Sequence, residues 1–99
     1  MKATVELRVL NELGLHARPA TEFVKCALRF KATTITLIKG DQTFVASSIL
    51  EILSAELDQG TVFLVEADGP EAEQAVEEFT NLMVKLLRDE EADRKGNRP

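Results

Sequence analysis

The chain has 99 residues, of which 44% are hydrophobic, and a formal net charge of −5. This length allows one domain with one modest core, and the negative charge argues against nucleic acid as a partner, because phosphates select a basic face. No apolar run is long enough for membrane insertion, the N-terminus does not resemble a signal peptide, and the single cysteine, Cys26, cannot form an internal disulfide. We therefore expect a cytoplasmic protein.

The first predicted element is a β-strand over residues 3–10. Val5, Leu7 and Val9 alternate there with polar or charged residues. A period of two is typical of a strand with one buried face.

A strand-to-helix junction follows, with the sequence Gly-Leu-His-Ala-Arg-Pro-Ala at residues 14–20. Gly14 allows a sharp turn after the strand, and Pro19 suits the first turn of a helix, where its missing N–H costs nothing. The residues behind it predict a helix with one apolar face, made of Ala20, Phe23, Val24, Ala27 and Leu28.

This junction suits an anion. The backbone N–H groups of Ala17 and Arg18 at the helix start, with the Arg18 guanidinium, could stabilise a phosphate carried by His16. The imidazole of His16 is then a candidate nucleophile. The plainer alternatives are a surface histidine and a solvated arginine.

The middle of the chain predicts a β-hairpin, a short helix and an interior strand. Residues 33–38 and 42–46 are rich in β-branched and aromatic side chains and are joined across residues 39–41. Apolar spacing predicts a short helix over residues 48–57, and the nearly all-apolar residues 61–67 predict a buried strand with Phe63 and Val65 in the core.

A closing helix is predicted to begin after Asp68, Gly69 and Pro70, with Asp68 as its cap. Its apolar stripe consists of Ala72, Ala75, Val76, Phe79, Leu82, Met83 and Leu86. Residues 88–99 are mostly charged or polar, so we expect a disordered C-terminal tail that follows a domain spanning residues 1–87.

The order of elements predicts an α+β open-faced β-sandwich. Four antiparallel strands would form the sheet, and two long helices and one short helix would cover one of its faces. The pattern alone leaves a ferredoxin-like module equally open. That alternative implies a second function class, a small-ligand-binding regulatory domain without phosphoryl chemistry.

The segment 14–20, the short helix at residues 48–53 and the closing helix together resemble the HPr family over roughly residues 1–87. This resemblance implies a phosphocarrier of the bacterial phosphoenolpyruvate-dependent phosphotransferase system. Enzyme I would phosphorylate His16 at Nδ1, with Arg18 beside it, and Enzyme II A components would receive the phosphoryl group in sugar uptake. Such a protein is a stoichiometric carrier rather than an enzyme. We expect no metal, no organic cofactor and a monomer. The runner-up is a regulatory member of the family that serves nitrogen or catabolite control.

Two further features follow from the same resemblance. Ser48 occupies the position at which an HPr kinase/phosphorylase acts in many bacteria, although a helix cap is the plainer role for its hydroxyl. Ile49, Leu50 and Leu53 correspond to the partner-docking side chains of the family. Ser47 and Glu51 depart from the family pattern and make the surroundings of this patch more acidic, which would alter partner choice.

Overall fold

The structure is a computed structural model that describes residues 1–96. Its centre is one four-stranded antiparallel sheet with the strand order β1-β4-β2-β3. The strands are β1 (Lys2–Arg8), β2 (Thr34–Lys39), β3 (Gln42–Val45) and β4 (Val62–Asp68). All four predicted strands are therefore present, with ends that shift by one or two residues.

The register pairs the first strand of the sequence with the last one. β1 runs along β4 from the pair Lys2 and Asp68 to the pair Arg8 and Val62. β2 lies on the other side of β4 and forms a hairpin with β3, whose turn contains Gly40 at φ +61°.

The helices are α1 (Ala17–Leu28), α2 (Ile49–Ser54) and α3 (Ala72–Gly96). They bury their apolar sides together with the inward side chains of the sheet in one hydrophobic core. At its centre the ring of Phe23 lies 4.7 Å from that of Phe79 and 6.1 Å from that of Phe63, between centroids. The predicted open-faced α+β sandwich is confirmed.

Three details of the helix prediction were wrong. Leu28 is 54% exposed, because Cys26 takes an inward position on α1 instead. The short helix α2 ends at Ser54, and the left-handed backbone of Glu56, at φ +52°, turns the chain so that Leu57 is buried outside the helix. Asp68 does not cap α3, since it is the last residue of β4.

The prediction of a disordered tail was also wrong for residues 88–96, since α3 continues through Gly96. The extension is held by polar contacts that apolar periodicity does not reveal. Lys85 pairs with Asp89 along the helix at 2.7 Å, and Glu90 and Arg94 bind the loop that follows β1. Residues 97–99 lie outside the described part of the chain.

Candidate phosphate-binding site

His16 is the N-terminal cap residue of α1. Its backbone is extended, with φ −73° and ψ −169°, and its carbonyl accepts a hydrogen bond from the N–H of Ala20 at 2.9 Å. The side chain makes no capping hydrogen bond and is exposed. The fold therefore uses the backbone of His16 and leaves its imidazole accessible to solvent.

The turn before His16 is fixed by a close backbone approach. The N–H of Leu15 donates to the carbonyl of Leu57 at 2.9 Å, and a Cβ at Gly14 would lie 2.7 Å from the same oxygen. Gly14 also has φ +68°, a left-handed conformation that disfavours side chains. The turn expected from the sequence therefore does require a glycine at residue 14.

A residue that the sequence analysis missed is Asn11, which is only 1% exposed. Its Nδ2 donates to the carbonyl of Gly14 at 2.6 Å, so it braces the turn from inside. The alternation that buries Leu7 and Val9 places Asn11 on the same inward face. The sequence does contain a signal for this role, namely a polar residue at an inward-facing position three residues before Gly14.

The first turn of α1 presents two backbone donors beside His16. The N–H groups of Ala17 and Arg18 have no acceptor within residues 1–96, and Pro19 has no N–H to offer. The guanidinium of Arg18 is not solvated freely, because one of its nitrogens forms an ion pair with the carboxylate of Asp93 on α3. Arg18 is therefore in place beside His16 but already has an anionic partner.

The C-terminal part of α3 completes the site from the other side. The carboxylate of Glu90 accepts the backbone N–H groups of Glu12 at 2.6 Å and Leu13 at 2.9 Å, and Arg94 pairs with Glu12 at 3.0 Å. Between this helix and α1 lies an open cleft of about 780 Å³ that includes His16 and Arg18 in its lining.

Glu90 is well buried for a carboxylate, with 10% of its side chain exposed. Burial alone would raise its pKa. The backbone donors of Leu13 and Glu12, the Asn11 amide and the positive charge of Arg94 outweigh that effect and lower the pKa below its usual value. Glu90 is therefore an ionised clamp on the loop before His16.

The predicted regulatory and docking residues lie on α2, and none of them lines the cleft. Ser48 caps this helix, since its Oγ accepts the N–H of Glu51 at 3.3 Å, while the Glu51 carboxylate accepts the N–H of Val45 at 2.9 Å. Leu50 is 77% exposed, and Ile49 and Leu53 are partly exposed at 36% and 41%. In the structure Ser48 is therefore the N-cap of α2, and it lies beside the exposed apolar side chains of that helix.

Chemically, the start of α1 offers the exposed imidazole of His16, the backbone N–H groups of Ala17 and Arg18, and the Arg18 guanidinium, the groups that a covalently attached phosphate would require. Among the described residues, no group of three His, Cys, Asp or Glu side chains is arranged to hold a metal ion. Within the same residues, no helix is both long and apolar enough to cross a bilayer.

The chain is similar to known phosphocarriers in sequence and in fold. Residues 3–85 match the model of the family described as PTS HPr component phosphorylation site. The phosphocarrier protein HPr of Vibrio cholerae is 38% identical, and that of Haemophilus influenzae 36%, each match covering 82% of this chain and 94% of the relative. A histidine-containing phosphocarrier protein from Mycoplasma superposes with a TM-score of 0.80 at 29% identity, covering 86% of this chain and 96% of the other.

Proposed function

Because this chain belongs to the HPr family of phosphotransferase-system phosphocarriers, we propose that it accepts a phosphoryl group on His16 from phosphorylated Enzyme I. It then passes the group to Enzyme II A components in sugar uptake. The observation that carries this proposal is the free imidazole of His16 at the start of α1, beside unpaired backbone donors and Arg18.

In the proposed step, Nδ1 of His16 attacks phosphorus and forms an N–P bond, while the bond between phosphorus and the donor breaks. The electron pair of that bond leaves with the donor, and the ring proton of His16 passes to solvent or to the donor. The N–H groups of Ala17 and Arg18 and the Arg18 guanidinium then stabilise the phosphoryl oxygens. The reverse step delivers the group to the next protein, so the chain acts as a stoichiometric carrier. The proposal places this carrier in the cytoplasm, as a monomer.

Partner docking is assigned in this proposal to the apolar surface of α2, formed by Ile49, Leu50 and Leu53. Leu50 supports the assignment, since a leucine that is 77% exposed contributes little to the core. An HPr kinase/phosphorylase acting on Ser48 would add charge at the edge of the same surface.

A second candidate is a regulatory carrier that delivers the phosphoryl group to a nitrogen or catabolite control target. Glu51 favours it, because its carboxylate is fixed to the N–H of Val45 next to the docking surface. A fixed negative charge there selects against partners with an acidic rim.

The test is labelling with Enzyme I, Mg²⁺ and phosphoenolpyruvate. We expect one phosphoryl group per chain on His16, in an acid-labile and alkali-stable linkage that distinguishes it from phosphoserine on Ser48. His16→Ala should remain folded and unlabelled. The carrier function would be contradicted if His16→Ala still acquired an acid-labile label. It would also be contradicted if a competent Enzyme I did not label the wild type, and that result would favour the small-ligand-binding alternative.

A further inference from the structure

We propose that residues 89–94 of α3, here named the C-terminal arm, form an autoinhibitory contact that competes with the phosphoryl group of His16 for Arg18. This inference rests on the proposed carrier function. It adds a regulatory element that belongs to this chain, since the arm lies beyond residues 3–85, which match the family.

The arm is anchored to the loop that leads to His16. Glu90 accepts two backbone N–H groups of that loop at 2.6 and 2.9 Å, and its side chain is 10% exposed. Arg94 bridges Glu90 at 3.6 Å and Glu12 at 3.0 Å. These contacts hold α3 over the cleft and determine where its neighbouring side chains lie.

Asp93 is the competing anion. Its carboxylate binds a terminal guanidinium nitrogen of Arg18, the same group that would receive phosphoryl oxygens from His16. Both side chains of this pair are substantially exposed, at 69% for Arg18 and 48% for Asp93, so the ion pair is a weak one. A phosphoryl dianion on His16, next to Arg18, can therefore displace the Asp93 carboxylate from the guanidinium.

The charge of the cleft supports the same conclusion. Five carboxylates and only two guanidinium groups line a space that has to accept an anion. Three of the five carboxylates come from the arm. The acidic lining residues are Glu12, Glu22, Asp89, Glu90 and Asp93, and the basic ones are Arg18 and Arg94. A docked arm thus opposes phosphorylation by occupying Arg18 and by repelling the incoming phosphate.

The competition works in both directions. If a docked arm disfavours the phosphoryl group, then phosphorylation of His16 must weaken arm docking by the same factor. The arm would therefore report the phosphorylation state of the carrier, and its release would expose Glu90 and the backbone N–H groups of Glu12 and Leu13.

The test uses the full chain and a chemical phosphoryl donor, potassium phosphoramidate, so that it does not depend on Enzyme I. The ring nitrogen of His16 forms a bond to phosphorus as the reagent's P–N bond breaks, and ammonia leaves with a proton. Wild type is compared with Asp93→Asn. Glu91→Gln is the matched control, because it removes one negative charge from the same turn of α3 but does not line the cleft.

We expect Asp93→Asn to be phosphorylated about two- to fivefold faster than wild type, the range for loss of one exposed ion pair, and Glu91→Gln to react at the wild-type rate. Amide hydrogen exchange at Glu12 and Leu13, followed by NMR, should accelerate when wild type is phosphorylated. The inference would be overturned if all three proteins were phosphorylated at equal rates, or if Glu91→Gln were phosphorylated as fast as Asp93→Asn. It would also be overturned if amide exchange at Glu12 and Leu13 did not change on phosphorylation of wild type. The two proposals can fail separately. If phosphoramidate reacts faster with Asp93→Asn than with wild type but Enzyme I labels neither protein, the carrier function is contradicted and the competition at Arg18 is still supported.

Discussion

The carbonyl oxygen of Leu57 accepts a hydrogen bond from the N–H of Leu15 at 2.9 Å, and this contact joins the loop after α2 to the turn before His16. The candidate phosphate site and the segment that follows α2 are thus connected through backbone atoms. The stability of the site should therefore depend strongly on the glycine that permits the approach.

We expect Gly14→Ala to lower the free energy of unfolding by about 2–3 kcal/mol, through its left-handed backbone and a Cβ only 2.7 Å from the Leu57 oxygen. Gly40→Ala is the matched control. Gly40 has a similar φ of +61° with open space around a Cβ, so only about 1 kcal/mol should be lost. Urea unfolding measures both variants, and equal losses would show that the close approach to Leu57 is unimportant.

Arg18→Ala should still accept phosphate on His16, but roughly tenfold to a hundredfold more slowly. That range corresponds to the loss of a charge-assisted contact of about 1.5–3 kcal/mol, if the contact forms mainly in the transition state. Arg88→Ala removes the same charge from α3 at a residue that does not line the cleft. The initial rate of labelling by Enzyme I measures the effect, and identical rates for the two variants would exclude a local role for Arg18.

Leu50→Glu should weaken Enzyme I binding by about tenfold or more without destabilising the fold, since the side chain is 77% exposed. Leu28→Glu introduces the same change at an exposed position on α1 and should leave binding unaltered. Calorimetry with Enzyme I and thermal unfolding give the two readouts. A large drop in the melting temperature for Leu50→Glu would instead place Leu50 in the core.

Ser48→Asp should slow phosphoryl transfer to His16 while keeping the stability of wild type. Aspartate is as good an N-cap as serine, so the cap of α2 is retained and only a charge is added beside the docking surface. Ser48→Ala has the opposite pattern, with about 1 kcal/mol of stability lost and transfer unchanged. Comparing transfer rates and unfolding free energies of the two variants separates these effects.

The clamp formed by Glu90 should weaken in acid. Its folded-state pKa lies below the ordinary value of 4.5, so the stability it contributes is present above pH 4.5 and is lost as the pH falls through the lowered pKa. The facing groups are the Asn11 amide, the N–H groups of Glu12 and Leu13, and Arg94. Glu90→Gln should therefore show a smaller loss of stability than wild type between pH 5 and pH 3. Parallel curves in thermal unfolding would contradict this assignment.

Local patterns predicted most of the sheet and the junction at His16, because alternation, helical spacing and turn residues are encoded within short windows. The residues of α3 that contact the site could not be predicted in this way, because they are distant from His16 in the sequence. Glu90 binds Leu13 across 77 residues of chain, and a charged helical extension has the same composition as a disordered tail. Asn11 was overlooked because a single buried polar residue does not interrupt the strand pattern that precedes it.

The pairing of β1 with β4 has a consequence for the newly synthesised protein. A chain leaving the ribosome presents His16 early, but the strand that pairs with β1 ends only at Asp68, and Glu90, which binds the loop before His16, is synthesised later still. Long-range strand pairing of this kind forms only after the intervening chain is available. An incomplete chain that lacks β4 therefore carries His16 without the sheet on which α1 packs, so the start of α1 can reach its final arrangement only after Asp68 has been synthesised.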